Sequence, residues 1–128
     1  MVAPPSPVPA YGMPVTTAKL IEPLPAIALP AHEILEGEPN AGGRFTAESA
    51  DRQACAGFWS CDVGRYEFYF GYDEFIYVVR GEVVVTELGT QATTVLGPGD
   101  TAHFPQGVTT IWEIKQPLLK YFVAREPF

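Results

Sequence analysis

Asp73-Glu74-Phe75-Ile76-Tyr77-Val78-Val79-Arg80-Gly81-Glu82 and Gly97-Pro98-Gly99-Asp100-Thr101-Ala102-His103-Phe104-Pro105-Gln106-Gly107 are the two stretches on which the fold is read. The first is a run of β-branched and aromatic residues, which fit a pleated surface and lose χ1 freedom in a helix. The second has turn residues at both of its ends. Gly81 and Gly99 permit positive-φ turns that end strands, and Pro105-Gln106-Gly107 makes a tight corner.

Working outward, runs of the same kind predict strands at 44–48, 54–61, 65–70, 74–79, 82–87, 91–96, 101–104, 108–114 and 118–125. Turn signals at Asp62–Gly64, Gly71–Asp73, Arg80–Gly81, Gly89, Gly97–Asp100 and Pro105–Gly107 separate them. No window past residue 43 carries a 3.6-residue apolar period, and only 46–54 offers a helical turn. Nothing repeats internally. Many short strands must hide their edges, so the pattern predicts an all-β sandwich or barrel.

The chain ahead of these strands is different. Residues 1–42 read as a Pro-rich arm, with four prolines in the first nine positions. Such a segment can neither make a helix nor sit in a central strand. Residues 16–42 read as extended pieces lying along the barrel or along a neighbouring subunit, with Glu36–Gly43 as the boundary loop. Residues 43–128 are the barrel. A chain of 128 residues holds one domain with one core.

Composition narrows the function. Fifteen acidic residues against eight basic ones give a net charge of −7 and no basic stripe, which opposes nucleic-acid binding and docking on an anionic membrane. No apolar run is long enough to span a bilayer, and the amino terminus has no leader character. Cys55 and Cys61, if on one strand, lie on the order of 20 Å apart and beyond disulfide reach. Free thiols fit a reducing, cytoplasmic setting.

The two opening stretches resemble the end of the first cupin motif and the start of the second, seventeen residues apart between Gly81 and Gly99. Trp59-Ser60-Cys61-Asp62-Val63-Gly64-Arg65, Tyr72-Asp73-Glu74 and Thr110-Ile111-Trp112-Glu113 narrow this further. With them, residues 54–124 resemble the small single-domain cupins related to (S)-ureidoglycine aminohydrolase. The resemblance implies a jelly-roll cupin barrel and ureide-type, metal-dependent chemistry. It also implies a divalent ion held by two His and a Glu from the first motif and a His from the second.

Of those four ligand positions only Glu74 is kept. The two first-motif histidines fall on Glu67 and Tyr69, or on Phe68 and Phe70, and the second-motif histidine falls on Thr110. A carboxylate or two and a hydroxyl make a poor site for ions that want imidazole or thiolate donors. The sequence therefore reads as a cupin without a resident cofactor or metal.

Glu74 is the leading candidate for acid–base chemistry, as a carboxylate aimed into an apolar interior. Glu67, if it faces inward, would share a proton with it. On the same assumption Tyr69 lines the cavity with Glu67, and Thr110, Trp112, Cys61 and His103 complete the candidate ligand-binding set. Arg65, Arg80 and Lys120 read as solvated surface charges.

Two functions follow. One is a cavity that binds a small polar metabolite and moves protons on it, in a hydrolase, lyase or isomerase. The alternative is a non-catalytic module with an aromatic-filled barrel. In either case a homodimer through the arm or a barrel edge is expected.

Overall fold

The computed structural model describes residues 15–126; the Pro-rich reading of residues 1–14 lies outside the described residues. Among the described residues nine strands are formed: β1 (Ala26–Ile27), β2 (Ile34–Gly37), β3 (Ala41–Glu48), β4 (Ala54–Cys61), β5 (Gly64–Tyr69), β6 (Asp73–Glu87), β7 (Thr93–Leu96), β8 (Thr101–Phe104) and β9 (Thr109–Arg125). A single 3-10 turn, Ala31–Glu33, precedes β2. Every strand pairing is antiparallel. The result is a single-domain cupin jelly-roll, a curled sheet closed around one core.

Two long strands carry the architecture. The far half of β9 lies between β4 and the first half of β6, and its near half lies between β5 and the second half of β6. Strand breaks were expected at Arg80–Gly81 and around residues 115–117, but each strand runs straight through. The register shifts at Val78/Arg80, Arg80/Glu82 and Glu82/Val83 mark bulges, where a strand bends without ending. Gly81 makes the bend possible: its φ is 95°, and a Cβ there would come within 2.2 Å of the Pro117 carbonyl oxygen. The bulges also change which residues face inward. Glu74, Ile76 and Val78 are buried before Gly81, and Val83 and Val85 after it.

Inside, Tyr66, Phe70, Ile76, Val78, Val83, Val85, Phe104, Trp112, Ile114 and Leu118 pack as one core cluster. The boundary read at residues 42 and 43 falls inside β3. Within the loop expected at 36–43, residues 36–37 and 41–43 are strand, because β2 pairs with β5 and β3 with β4. The described part of the arm lies on its own barrel: β1 pairs with β3, and the Gly43 N–H donates to the Pro25 carbonyl at 2.9 Å. Gly43 allows this close approach, since a Cβ there would meet Ile27 Cδ1 at 2.3 Å. Arg80, read as a free surface charge, pairs with Glu22 of the arm. Cys55 and Cys61 are free thiols on the same strand, β4. Among the described residues no helix is long and apolar enough to cross a membrane.

Candidate functional site

A cavity of about 410 Å³ opens between the two halves of the barrel, with Glu74 of β6 and Lys120 of β9 among its lining residues. The alternation of β9 puts Leu118, Lys120, Phe122 and Ala124 on its inner face. Lys120 sits between Trp59 on β4 and Val78 on β6. Its register partner on β6 is not Glu74, so the four-carbon stem must run along the interior to reach the carboxylate. Nζ donates to Glu74 Oε2 at 2.8 Å, with both side chains below 10% exposed. The ammonium also lies 4.8 Å from the Trp59 ring centroid and 4.6 Å from that of Trp112, within cation–π range of both. Among the described residues Glu74 is its one hydrogen-bond acceptor.

Half of the remaining lining residues are aromatic. Tyr66 stacks on Trp112, with centroids 6.1 Å apart and planes 22° apart. Phe68 meets Phe70 edge-on, and Phe122 is also part of the lining. Burial pushes the Tyr66 phenol far above its usual range. Burial, and then the negative charge of Glu74, push Tyr72 up to about 12. Both phenols are therefore neutral donors at ordinary pH. Arg44, Cys55 and Glu126 are also in the lining, with Ile27 and Leu29 of the arm. Burial, followed by the charge of Glu48, raises the Cys55 thiol as well.

Of the residues expected at the site, Glu74 and Trp112 line this cavity and the others lie elsewhere. The facing of Glu67 and Tyr69, open in the sequence, is outward: both are exposed, and it is Tyr66, Phe68 and Phe70 that turn inward, so neither lines the cavity. Thr110 is buried but lines a different hollow, with Val85, Leu96 and Phe104. Its hydroxyl donates to the Phe68 carbonyl at 2.9 Å and accepts from Trp112 Nε1 at 2.8 Å. The expected convergence of Glu74 and Thr110 is therefore replaced by that of Glu74 and Lys120. Cys61 is a core residue on the arm side, where burial pushes its thiol up to about 12. His103 is on the outer surface, stacked on Phe75 at 4.4 Å, with Nε2 3.2 Å from Asp73 Oδ1.

Lys120 is the main residue that sequence reasoning missed. A signal was there. In Leu118-Leu119-Lys120-Tyr121-Phe122-Val123-Ala124 the period-2 pattern puts the lysine on the same face as Leu118, Phe122 and Ala124. The residues around Glu74 do not fit the divalent ion that the cupin resemblance implied. Among the described residues no three His, Cys, Asp or Glu side chains come together. Glu74 is instead met by an ammonium, which repels a cation.

Solved structures share the fold. A Salmonella typhimurium protein assigned to ethanolamine utilization as protein Q is 22% identical, with a TM-score of 0.57 over 68% of each chain. A Pseudomonas syringae protein of unknown function from the DUF861 family has a TM-score of 0.70 and 16% identity, over 77% of this chain and 43% of its own. A cupin superfamily protein from Desulfitobacterium hafniense has a TM-score of 0.58 and 17% identity, over 68% of this chain and 78% of its own. No curated protein matches the chain significantly. The sequence description of the EutQ-like cupin domain matches residues 48–122, from the end of β3 well into β9, and the chain belongs to that family.

Proposed function

We propose that the barrel is a metal-independent binding site for a small, largely flat molecule with one polar edge, and that Glu74 and Lys120 move protons on it. The cupin fold fits a small-molecule-binding role, and the observation that carries the finer reading is the buried Glu74–Lys120 pair facing open space. Taking two charges out of water is expensive, and hydrophobic residues of similar volume often serve stability as well or better. A buried pair lining a cavity is thus better explained by what it does to a ligand.

The pair offers an acceptor and a donor side by side, suited to a ligand edge that carries one of each. Aromatic walls supply area for a planar body. Of the implied ureide chemistry the chain keeps the acid at Glu74; a neighbouring ammonium replaces the ion, and hydrolysis or isomerisation by proton transfer remains open to it. The alternative of an aromatic-filled barrel accounts poorly for 410 Å³ of space.

The test is a thermal-shift screen of small neutral amides, lactams and aromatic acids on wild type and on Glu74→Gln. A ligand present at a hundred times its Kd stabilises by about 2.7 kcal/mol, which is several degrees for a domain of this size. The shift is expected to vanish in Glu74→Gln. An equal shift in both proteins would remove Glu74 from the site.

We further propose that a second copy of the chain covers the outer face of β6, where Phe75, Tyr77 and Val79 are exposed beside Val123 of β9. The described part of the arm is already engaged with its own barrel. Tyr77→Asp is expected to halve the mass seen in light scattering. A wild-type protein that is already monomeric would end this reading.

A further inference from the structure

We propose that Lys120 is a nucleophile that forms an imine with small neutral aldehydes or ketones entering the cavity. The inference rests on that cavity being a ligand site. The chain has three lysines, and they are unlike one another. Lys19 is exposed, and Lys115 is nearly half exposed and pairs with Glu113. Lys120 alone is buried, on the wall of a 410 Å³ hollow, with a carboxylate 2.8 Å from Nζ.

Amine nucleophiles in proteins need two things, and the cavity holds both. One is a desolvated pocket, which the aromatic walls supply. The other is a base to take the ammonium proton, and Glu74 is within hydrogen-bond reach of it. The steps balance without any further reagent. Nζ passes a proton to Glu74, and the neutral amine adds to the carbonyl carbon. The nitrogen gives up a proton as the oxygen gains one, which leaves a carbinolamine. Glu74 then returns its proton to the hydroxyl group, the C–O bond breaks, and water leaves. A protonated imine remains beside a carboxylate.

The surroundings of Lys120 also suit the product. A protonated imine carries the same single positive charge as the ammonium it replaces. It therefore keeps the pairing with Glu74 and both ring faces, Trp59 and Trp112, that already hold the ammonium. The same charge arithmetic sets the substrate class. A keto acid would bring a second carboxylate next to Glu74, whereas a neutral carbonyl on a flat or branched apolar group would sit against Phe68, Phe70 and Phe122.

The test uses the full chain with benzaldehyde and sodium cyanoborohydride, followed by peptide mass mapping. The expected result is one benzyl group on Lys120, with Lys19, Lys115 and the terminal amine as slower internal controls. Lys120→Arg keeps a cation beside Glu74 but cannot form an imine, and should lose the adduct while staying folded. Glu74→Gln should slow trapping by about a hundredfold, the usual worth of a placed acid–base group. Labelling of Lys120 no faster than Lys19 or Lys115 would overturn the proposal. Benzyl alcohol, which has no carbonyl, separates this failure from a failure of the cavity reading. If it raises the melting temperature while Lys120 stays unlabelled, the site binds and the nucleophile is excluded. If it does neither, both readings fall.

Discussion

Two buried polar side chains on the inner face of β9, Thr110 and Lys120, show how differently one strand can use polarity. The Thr110 hydroxyl spends both of its roles within the fold, donating to the Phe68 carbonyl and accepting from the Trp112 indole. Its one proton is committed within the fold, and it borders a different hollow. Lys120 has one hydrogen bond among the described residues and two ring faces, and it borders open space. A polar group whose proton is committed to the backbone holds a structure together, and one with protons to give beside a cavity is where chemistry can occur. The contrast is sharper because Thr110 stands where the cupin resemblance placed a metal ligand. Its neighbour two residues on, Trp112, belongs to both settings, with its N–H on Thr110 and its ring face under the Lys120 ammonium.

The largest effect should come from breaking the charged site on one side only. Lys120→Met leaves Glu74 buried without its cation, which costs about 3–5 kcal/mol. Removing both charges in Glu74→Leu/Lys120→Met should return most of that, because no unpaired charge remains. Denaturant unfolding of the two single variants and the double variant gives the coupling directly. Additive losses would show that the two charges do not depend on each other.

The strand pattern was legible because the stretches are rich in β-branched and aromatic residues and most turns after β4 have a glycine or proline. The two long strands were not, since Gly81 and Pro117 look like stops. They act as bends because they face each other, and a residue without a Cβ can pass a neighbouring backbone closely. In the site, Glu74 could be read from its place in the motif. Glu67 and Tyr69 could not be placed, because facing inward or outward differs by one residue of register and both choices leave an alternating strand. Lys120 was hidden by a sound general expectation, that lysines are solvated. The local alternation with Leu118, Phe122 and Ala124 was evidence against it. His103 was drawn toward the site by its rarity alone, although β8 turns it outward, away from Phe104.

Thr110→Val sharpens the comparison from the structural side. The shape is kept and the hydroxyl is lost, so the Trp112 N–H is left buried without an acceptor. An unsatisfied donor of this kind costs about 1–3 kcal/mol, less than the loss at Lys120. The expected result is a lower unfolding midpoint with ligand-induced shifts preserved. A variant of normal stability that no longer responds to ligand would move Thr110 into the site and undo the contrast.

The smallest effect concerns Asp73, next to Glu74 on β6 but turned outward. It accepts the Gln106 N–H at 3.1 Å and faces His103 Nε2 at 3.2 Å. These bonds, the backbone one first, hold its carboxyl below the usual range. The sign follows from the depressed value. Unfolding releases Asp73 to bind protons more readily, so its contribution is fully present above the ordinary carboxylate range, near pH 4. It is lost as pH falls through the lower folded value. Asp73→Asn should therefore be slightly less stable than wild type at neutral pH and converge with it in acid. Glu74→Gln, which empties the buried pair at the next residue, should show the larger neutral-pH loss. A gap between Asp73→Asn and wild type that stays constant down to acid pH would mean that the loop geometry around Gln106, rather than the charge, is what Asp73 supplies.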